Sequence, residues 1–94
     1  PSDVTAPRGS TVTLPCSARS GRGVPAIGWR KDAIDIHLQP DPRRELLPDG
    51  SLLLRDLLHS RHHKPDEGIY QCRASLPGVG TIVSRAAKLT VAGE

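Results

Sequence analysis

The chain contains two cysteines, Cys16 and Cys72, and the residues around them constrain its fold more than any other feature. Trp29 lies between them, 13 positions after the first. The second cysteine closes a run that begins at Asp66 and has the form Asp-x-Gly-x-Tyr-x-Cys. A disulfide between facing sheets, a tryptophan packed beside it and a tyrosine two residues before the second cysteine are hallmarks of one class of β-sandwich. We therefore predict a Cys16–Cys72 bond that joins two sheets.

This cysteine–tryptophan–tyrosine pattern predicts an all-β fold, an immunoglobulin-like β-sandwich of the I-set type with one inter-sheet disulfide. The 94 residues suffice for a single domain spanning 1–94 and leave no room for a second core. Because disulfides persist in oxidising compartments, we expect the chain to be extracellular. The alternative is a cytosolic domain of the same fold with reduced cysteines. No stretch approaches the ~20 apolar residues of a membrane span, so we do not expect the domain itself to insert into a membrane.

Alternating apolar positions and turn residues predict seven strands in the chain. We expect them at about 10–18, 26–31, 34–38, 44–47, 51–57, 68–75 and 81–91. The core anchors are expected to be Trp29, Tyr70, Leu54 and Leu89, because each falls on the inward side of its strand. Pro15 lies within the first predicted strand, and since proline lacks a ladder donor we expect a local distortion there.

Asp66, the first residue of the motif before the second cysteine, is expected to accept an ion pair from an arginine. Arg43 and Arg44, at the start of the fourth predicted strand, are the two candidates, and the sequence does not choose between them. We interpret this ion pair as a brace of the fold rather than as part of a ligand site.

A basic segment, His59 to Lys64, separates the fifth predicted strand from the motif. The last inward residue of that strand, Leu57, precedes Asp66 by nine positions, whereas about four is usual in a chain of this type. Nearly all residues of the basic segment can carry positive charge. The candidates for polyanion binding are His59, Arg61, His62, His63 and Lys64.

Three interpretations of the basic segment are open. A run of charges is most often a solvated loop without a ligand. Clustered cations also attract polyanions such as heparan sulfate, and they can equally meet a neighbouring domain. The third interpretation is a metal site, but adjacent His62 and His63 point apart in an extended segment, and both cysteines are assigned to the disulfide.

The sequence carries no motif for catalysis or for a cofactor. It lacks a nucleophile elbow, a phosphate-binding glycine loop and a metalloprotease helix, so we expect neither enzyme activity nor a cofactor. The net charge of +3 alone does not indicate nucleic-acid binding. The single tryptophan and single tyrosine are both assigned to the core, which leaves no aromatic platform for bases, so we expect no nucleic-acid partner.

The run from His59 to Cys72 closely resembles the first, N-terminal immunoglobulin domain of the netrin receptors of the DCC/neogenin family. The resemblance extends from about Arg8 to Gly93 and includes the basic segment. Four further runs carry it: Trp29-Arg30-Lys31-Asp32, Leu47-Pro48-Asp49-Gly50-Ser51-Leu52, Ile82-Val83-Ser84-Arg85 and Val91-Ala92-Gly93.

The resemblance implies the extracellular part of a single-pass plasma-membrane receptor that acts in axon guidance and cell migration. The domain would serve there as an architectural or ligand-binding module beside neighbouring immunoglobulin domains of the same receptor. Heparan sulfate or a secreted protein is the further ligand that the resemblance implies. Two alternatives stay open, namely a heparan-sulfate-binding module or a homophilic cell-adhesion module of another immunoglobulin-superfamily receptor.

Overall fold

Two β-sheets face each other across the Cys16–Cys72 disulfide in the computed structural model, which describes residues 3–16, 25–84 and 86–93. Cys72 lies within a strand of the larger sheet, and Cys16 follows a strand of the smaller one. The predicted all-β, immunoglobulin-like sandwich with one inter-sheet disulfide is therefore confirmed. Among the described residues, no helix is long and apolar enough to cross a membrane.

The described part of the chain contains nine strands and one short 3₁₀ helix. The strands are β1 (Val4–Pro7), β2 (Val12–Leu14), β3 (Ala26–Lys31), β4 (Ile34–Asp35), β5 (Arg44–Leu46), β6 (Leu52–Leu54), β7 (Gly68–Leu76), β8 (Gly80–Val83) and β9 (Ala87–Ala92). The larger sheet has the order β1-β9-β7-β3-β4, and β8 also pairs with β7. The smaller sheet has the order β2-β6-β5. β1 runs parallel to β9, whereas the other pairs are antiparallel.

Side chains from both sheets meet in one apolar core. Every second residue of β2, β6 and β9 is buried, because a strand with one solvated face points alternate side chains inward. The four predicted core anchors are at most 2% exposed: Trp29, Tyr70, Leu54 and Leu89. The indole Nε1 of Trp29 donates to the carbonyl of Gly50 at 2.9 Å, so its polar atom keeps a partner inside the core.

Two predicted strands are shorter than expected, and each ends where the backbone cannot continue the ladder. β2 ends at Leu14, immediately before the exposed Pro15, which agrees with the distortion expected there. Positions 17–18 of that predicted strand lie outside the described residues. β6 ends at Leu54, and Asp56 soon afterwards adopts a positive φ of 49°, a left-handed conformation that terminates a strand.

Three further features differ from the sequence-based strand assignment. The strand predicted at 34–38 is only β4, and Ile36–Leu38 form the 3₁₀ helix. The strand predicted at 81–91 divides into β8 and β9. Val83 lies opposite Arg73 but Ala87 lies opposite Tyr70, so this side contains one extra residue, a bulge that breaks the ladder. β1 was not predicted at all, and its parallel pairing with β9 is a long-range contact.

Candidate interaction site around the basic segment

The basic segment forms an excursion from the sandwich between two buried residues. Leu57 before it is 0% exposed, and Asp66 after it is 1% exposed. The backbone N–H of Leu58 donates to Asp66 Oδ2 at 2.6 Å, which closes the base of the excursion. The chain therefore leaves and rejoins the domain at one place, and the additional residues lie outside the core.

The buried carboxylate of Asp66 is the centre of the polar contacts at this base. It accepts hydrogen bonds from Arg43 Nη1 at 2.7 Å and Nη2 at 3.1 Å, a two-pronged geometry that is among the strongest available to side chains. The expected ion pair thus forms with Arg43. Arg44 instead donates to the carbonyl oxygens of Gln39 and Pro65. The bond to Asp66 raises the pKa of Arg43, so the guanidinium stays charged.

Arg43 also ties the loop before β5 to the end of β6. Its Nη2 lies 2.8 Å from Asp41 Oδ2, and its Nη1 donates to the carbonyl of Asp56 at 3.1 Å. Burial opposes the ionisation of Asp41, but hydrogen bonds from the backbone N–H and guanidinium of Arg43 outweigh it and lower the pKa of that carboxyl. One arginine therefore bridges two carboxylates at the base of the basic segment.

Tyr70, a residue of the core, holds the end of the basic segment in place through one hydrogen bond. Its hydroxyl donates to the backbone carbonyl of Asp66 at 2.7 Å, the contact expected of the corner tyrosine in this fold. Burial raises the pKa of Tyr70, so the hydroxyl remains a donor. Side chain and backbone of Asp66 are thus both held, and the position of the basic segment follows from residues of the core.

Within the basic segment, Ser60 and His63 close a tight turn. The backbone N–H of Ser60 donates to the carbonyl of His63 at 2.9 Å, and the N–H of His63 donates to Ser60 Oγ at 3.1 Å. Arg61 and His62 are the central residues of this turn, and the side chains of Arg61, His62, His63 and Lys64 are all exposed. These four, called below the exposed cations because each can carry a positive charge, are the polyanion-binding candidates that the structure presents to solvent.

His59, the fifth polyanion-binding candidate, does not belong to the exposed cations, because the structure buries its side chain. It is only 9% exposed, and its Nε2 lies 3.5 Å from Glu67 Oε1. The physical reason is its position two residues after Leu57, where an extended chain again points its side chain inward. Glu67 Oε2 in turn accepts the N–H of Val91 in β9 at 2.9 Å. His59 therefore anchors the basic segment to the domain.

The basic segment lies at the end of the sandwich where β9 ends. Leu57 exchanges backbone hydrogen bonds with the turn after β1, accepting from Gly9 at 2.8 Å and donating to Ser10 at 3.0 Å. The contact from Glu67 to Val91 adds the last part of β9 to the same region. The base of the basic segment, at Leu57 and Glu67, is therefore close to the end of β9.

Glu67 is a residue of this site that the sequence does not predict. It occupies the variable second position of the Asp-x-Gly motif, and its backbone partner Val91 is 24 positions away. Neither composition nor spacing signals such a contact. Only the folded arrangement of β7 beside β9 brings the two residues together.

The chemistry available at this site is that of binding. The described residues contain no group of three or more His, Cys, Asp or Glu side chains that could hold a metal ion. A single exposed ion pair contributes only about 0–1 kcal/mol, so the exposed cations would act on a partner that meets several of them at once. An extended or strongly acidic partner surface fits that requirement.

Comparison with known proteins identifies close relatives. The sequence profile of the family described as Immunoglobulin domain matches residues 1–75. The chain is 59% identical over 93 residues to netrin receptor DCC of Mus musculus and 56% identical over 93 residues to neogenin of the same species, each over 99% of the chain. Human Roundabout homolog 2 is 46% identical over 95 residues, which cover 98% of the chain. The resemblance to the DCC/neogenin family is thereby confirmed, although the chain spans only 6–7% of the length of these relatives.

Solved structures show the same fold in serial arrangements of domains. Sidekick-1 immunoglobulin domains 1–4 match with a TM-score of 0.83 and 30% identity, over 99% of this chain and 22% of that one. The N-terminal Ig1-2 module of the Drosophila receptor protein tyrosine phosphatase DLAR matches with a TM-score of 0.75 and 31% identity, over 95% of this chain and 41% of that one. In both structures, the part that this chain resembles is an immunoglobulin domain of a larger protein.

Proposed function

This chain belongs to the immunoglobulin domain family, and we propose that it serves as an architectural or ligand-binding module in the extracellular part of an axon-guidance receptor. Its sequence similarity to netrin receptor DCC, neogenin and Roundabout homolog 2 supports this assignment. The inter-sheet disulfide supports an extracellular location, since such bonds persist in oxidising compartments. The family is not an enzymatic one, and binding is the activity that the domain contributes.

The observation that carries the proposal is the position of the exposed cations. They stand on a turn that is closed by its own hydrogen bonds, and the base of that turn is fixed by the buried Asp66–Arg43 pair. The base of the basic segment also lies beside the end of β9, where a neighbouring domain of the same receptor would follow. A basic surface held at that end suits contact with an acidic patch on the next domain or on a secreted protein ligand.

A chimaeric receptor tests this proposal. In mouse netrin receptor DCC, the aligned 93 residues are replaced by this chain, and the netrin response of cells is measured at matched surface levels. We expect the chimaera to respond like the parent receptor, and Lys64→Glu to reduce that response severalfold by placing a repulsive charge in the contact.

The matched control is Lys88→Glu, an exposed lysine on β9 that changes the net charge equally. We expect it to leave the response unchanged. Equal responses of the two variants would exclude a contact role for the basic segment. A chimaera that reaches the surface but never responds would count against the receptor assignment itself. The thermal midpoints of the two isolated variants establish that both domains are folded.

Heparan sulfate is a second candidate partner, and the four exposed cations favour it. Sulfated polysaccharides are extended polyanions that can meet Arg61 and Lys64 together, and arginine suits two-pronged contact with sulfate. The contact would weaken steeply with salt, because exposed charges are screened within about 8 Å at physiological ionic strength.

A heparin column separates this candidate from the first. We expect Arg61→Ala with Lys64→Ala to lower the salt needed for elution, and Lys88→Ala to lower it by less than half as much. If the double variant elutes like the unmodified chain, the basic segment does not bind the polysaccharide. A contact to a neighbouring domain then remains the proposed role.

A further inference from the structure

Among residues 3–16, 25–84 and 86–93, no strand pairs with the edge of β8 that faces away from β7. β8 pairs with β7 on one side, and β1 covers the outer side of β9 but pairs only with residues from Leu89 to Ala92. All four residues of β8 are exposed, with Ile82 at 76% and Val83 at 42%. Unpaired backbone groups along such an edge are a template for another strand.

The other sheet edges in the described part of the chain carry features that discourage pairing. β4 has only two residues, β1 ends in Pro7, and β2 has three residues and is followed by Pro15. β5 presents Arg44 and Glu45. β8 contains neither a charged residue nor a proline, and its sequence Gly-Thr-Ile-Val is rich in β-branched residues that favour strands. It is therefore the edge most suited to pairing with a further strand.

The hydrogen bonds to β7 establish which backbone groups of β8 face outward. The N–H of Ser84 donates to the carbonyl of Cys72 at 2.9 Å, so residue 84 points its backbone groups toward β7. Backbone direction alternates along a strand, and Ile82, opposite Ala74, therefore also faces β7. The N–H and C=O groups of Thr81 and Val83 point away from β7.

We propose that β8 pairs antiparallel with β8 of a second copy of this chain, about a two-fold axis at Ile82. In that register, Thr81 of one copy lies opposite Val83 of the other, and Val83 lies opposite Thr81. Each of these pairs exchanges both N–H···O bonds, and the outward-facing groups of both strands are satisfied. Ile82 meets Ile82 of the second copy in the intervening pair, where side chains approach most closely.

A second copy suits this edge because the edge is complementary to itself. Thr81 and Val83 are separated by two positions, as the exchange of bonds about an axis at Ile82 requires. β8 brings no charge to its counterpart, so no like charges are set directly opposite within the paired strands. The contact is small and the dimer is therefore weak, but many copies held on apposed or shared membranes would strengthen it by multivalency, a step that rests on the proposed receptor function. The pairing itself involves β8 and not the basic segment, so it is tested separately from that function.

Charge-swap variants at Ile82 test both the pairing and its register. Sedimentation velocity of the unmodified chain, over concentrations up to about 1 mM, should show a reversible monomer–dimer equilibrium. Ile82→Lys and Ile82→Glu, each alone, should be monomeric because like charges meet on the axis. An equimolar mixture of the two should recover a dimer that contains one copy of each, since opposite charges now face each other.

The matched control is the pair Val79→Lys and Val79→Glu, which places the same charges on an exposed residue of the hairpin before β8. These two variants should dimerise like the unmodified chain. A second variant, Thr81→Pro, removes an outward-facing N–H and leaves the ladder to β7 complete, so it should be folded and monomeric. Circular dichroism establishes that it is folded.

Three results would overturn the proposal. One is an unmodified chain that stays monomeric throughout the concentration series, which would leave this edge to a strand of a different protein. Another is a dimer that persists in Ile82→Lys, which would assign self-association to a different surface. The third is a mixture of the lysine and glutamate variants that remains monomeric, which would exclude the register about Ile82.

Discussion

The ion pair between Arg43 and Asp66 leads to a prediction about single residues. Arg43→Ala leaves the carboxylate of Asp66, 1% exposed, without its charged partner. Removing one member of a buried pair costs about 3–5 kcal/mol of unfolding free energy, and urea denaturation measures that loss. The control is Arg55→Ala, which breaks the exposed pair with Glu45 and should cost at most about 1 kcal/mol. Equal losses in the two variants would show that Asp66 does not depend on Arg43.

For single residues, the sequence predicts that an arginine pairs with Asp66, but it does not predict which of two neighbouring arginines forms the pair. Arg43 and Arg44 are neighbours, so their side chains leave an extended chain in opposite directions, and the choice depends on where β5 begins. The sequence did not show the burial of His59 for a related reason. Its polar side chain suggests a solvated residue, but its spacing from Leu57 places it against Glu67. Both choices, between Arg43 and Arg44 and between a solvated and a buried His59, depend on the path of the backbone. Local composition does not predict that path.

The turn between β3 and β4 leads to a prediction about elements, because it is joined to β7 through Asp32. Asp32 has a positive φ of 50°, accepts the N–H of Ile69 at 2.9 Å and pairs with Lys31 at 3.0 Å. Gly68 permits this approach, since a Cβ there would lie 2.8 Å from Asp32 Oδ2. The hydrogen bond from Ile69, and secondarily Lys31, lower the pKa of the Asp32 carboxyl below its usual 3.8.

A carboxyl with a lowered folded-state pKa stabilises the fold above its unfolded pKa, and that contribution is lost as the pH falls through the folded value. We therefore expect the unfolding midpoint of the chain to decrease below about pH 4. Asp32→Asn and Gly68→Ala should both flatten this decrease, because the first cannot ionise and the second displaces the carboxylate. Denaturation at a series of pH values measures the slope.

Part of the acid dependence should survive in both variants, because the carboxyls of Asp41 and Asp49 also have lowered pKa values. A variant such as Asp32→Asn with the full acid slope of the unmodified chain would show that Asp32 does not contribute. If Gly68→Ala alone kept the full slope, the carboxylate would tolerate the added methyl group without losing its bond to Ile69.

The strands themselves were only partly predictable. Long alternating runs such as β7 were found within one residue, because their period of two is a local property of the sequence. β1 was not predicted, because it depends on pairing with the distant β9. The division between β8 and β9 was not predicted either, because it depends on a bulge. The uncovered edge of β8 follows from that division and from the extent of β1. It therefore became visible only when the sheet order was known.

For the whole molecule, the sandwich was predictable because its markers are few, close to the core and widely spaced. Trp29, Tyr70 and the two cysteines all lie in the buried cluster, and each has a specific role there. The location of the basic segment beside the end of β9 was not predictable. It is set by contacts of Leu57 with the turn after β1 and of Glu67 with Val91, which join parts of the chain that no local pattern relates.

The disulfide leads to the prediction for the whole molecule. Cys16 and Cys72 are 56 positions apart, so their bond closes a loop that contains most of the domain. In the chain-entropy treatment, a loop of this length stabilises the folded state by about 4 kcal/mol, because it restricts the unfolded chain. Adding a reductant should therefore lower the midpoint of urea denaturation markedly.

The double variant Cys16→Ala with Cys72→Ala serves as the control for that experiment. It should be as unstable as the reduced chain or somewhat less stable, since it also removes two buried sulfur atoms from the core. Reductant should not change it further, because it has no bond to break. If the reduced and oxidised chains instead unfolded at the same urea concentration, closure of this loop would not contribute to stability. The core around Trp29 and Tyr70 would then hold the two sheets together without it.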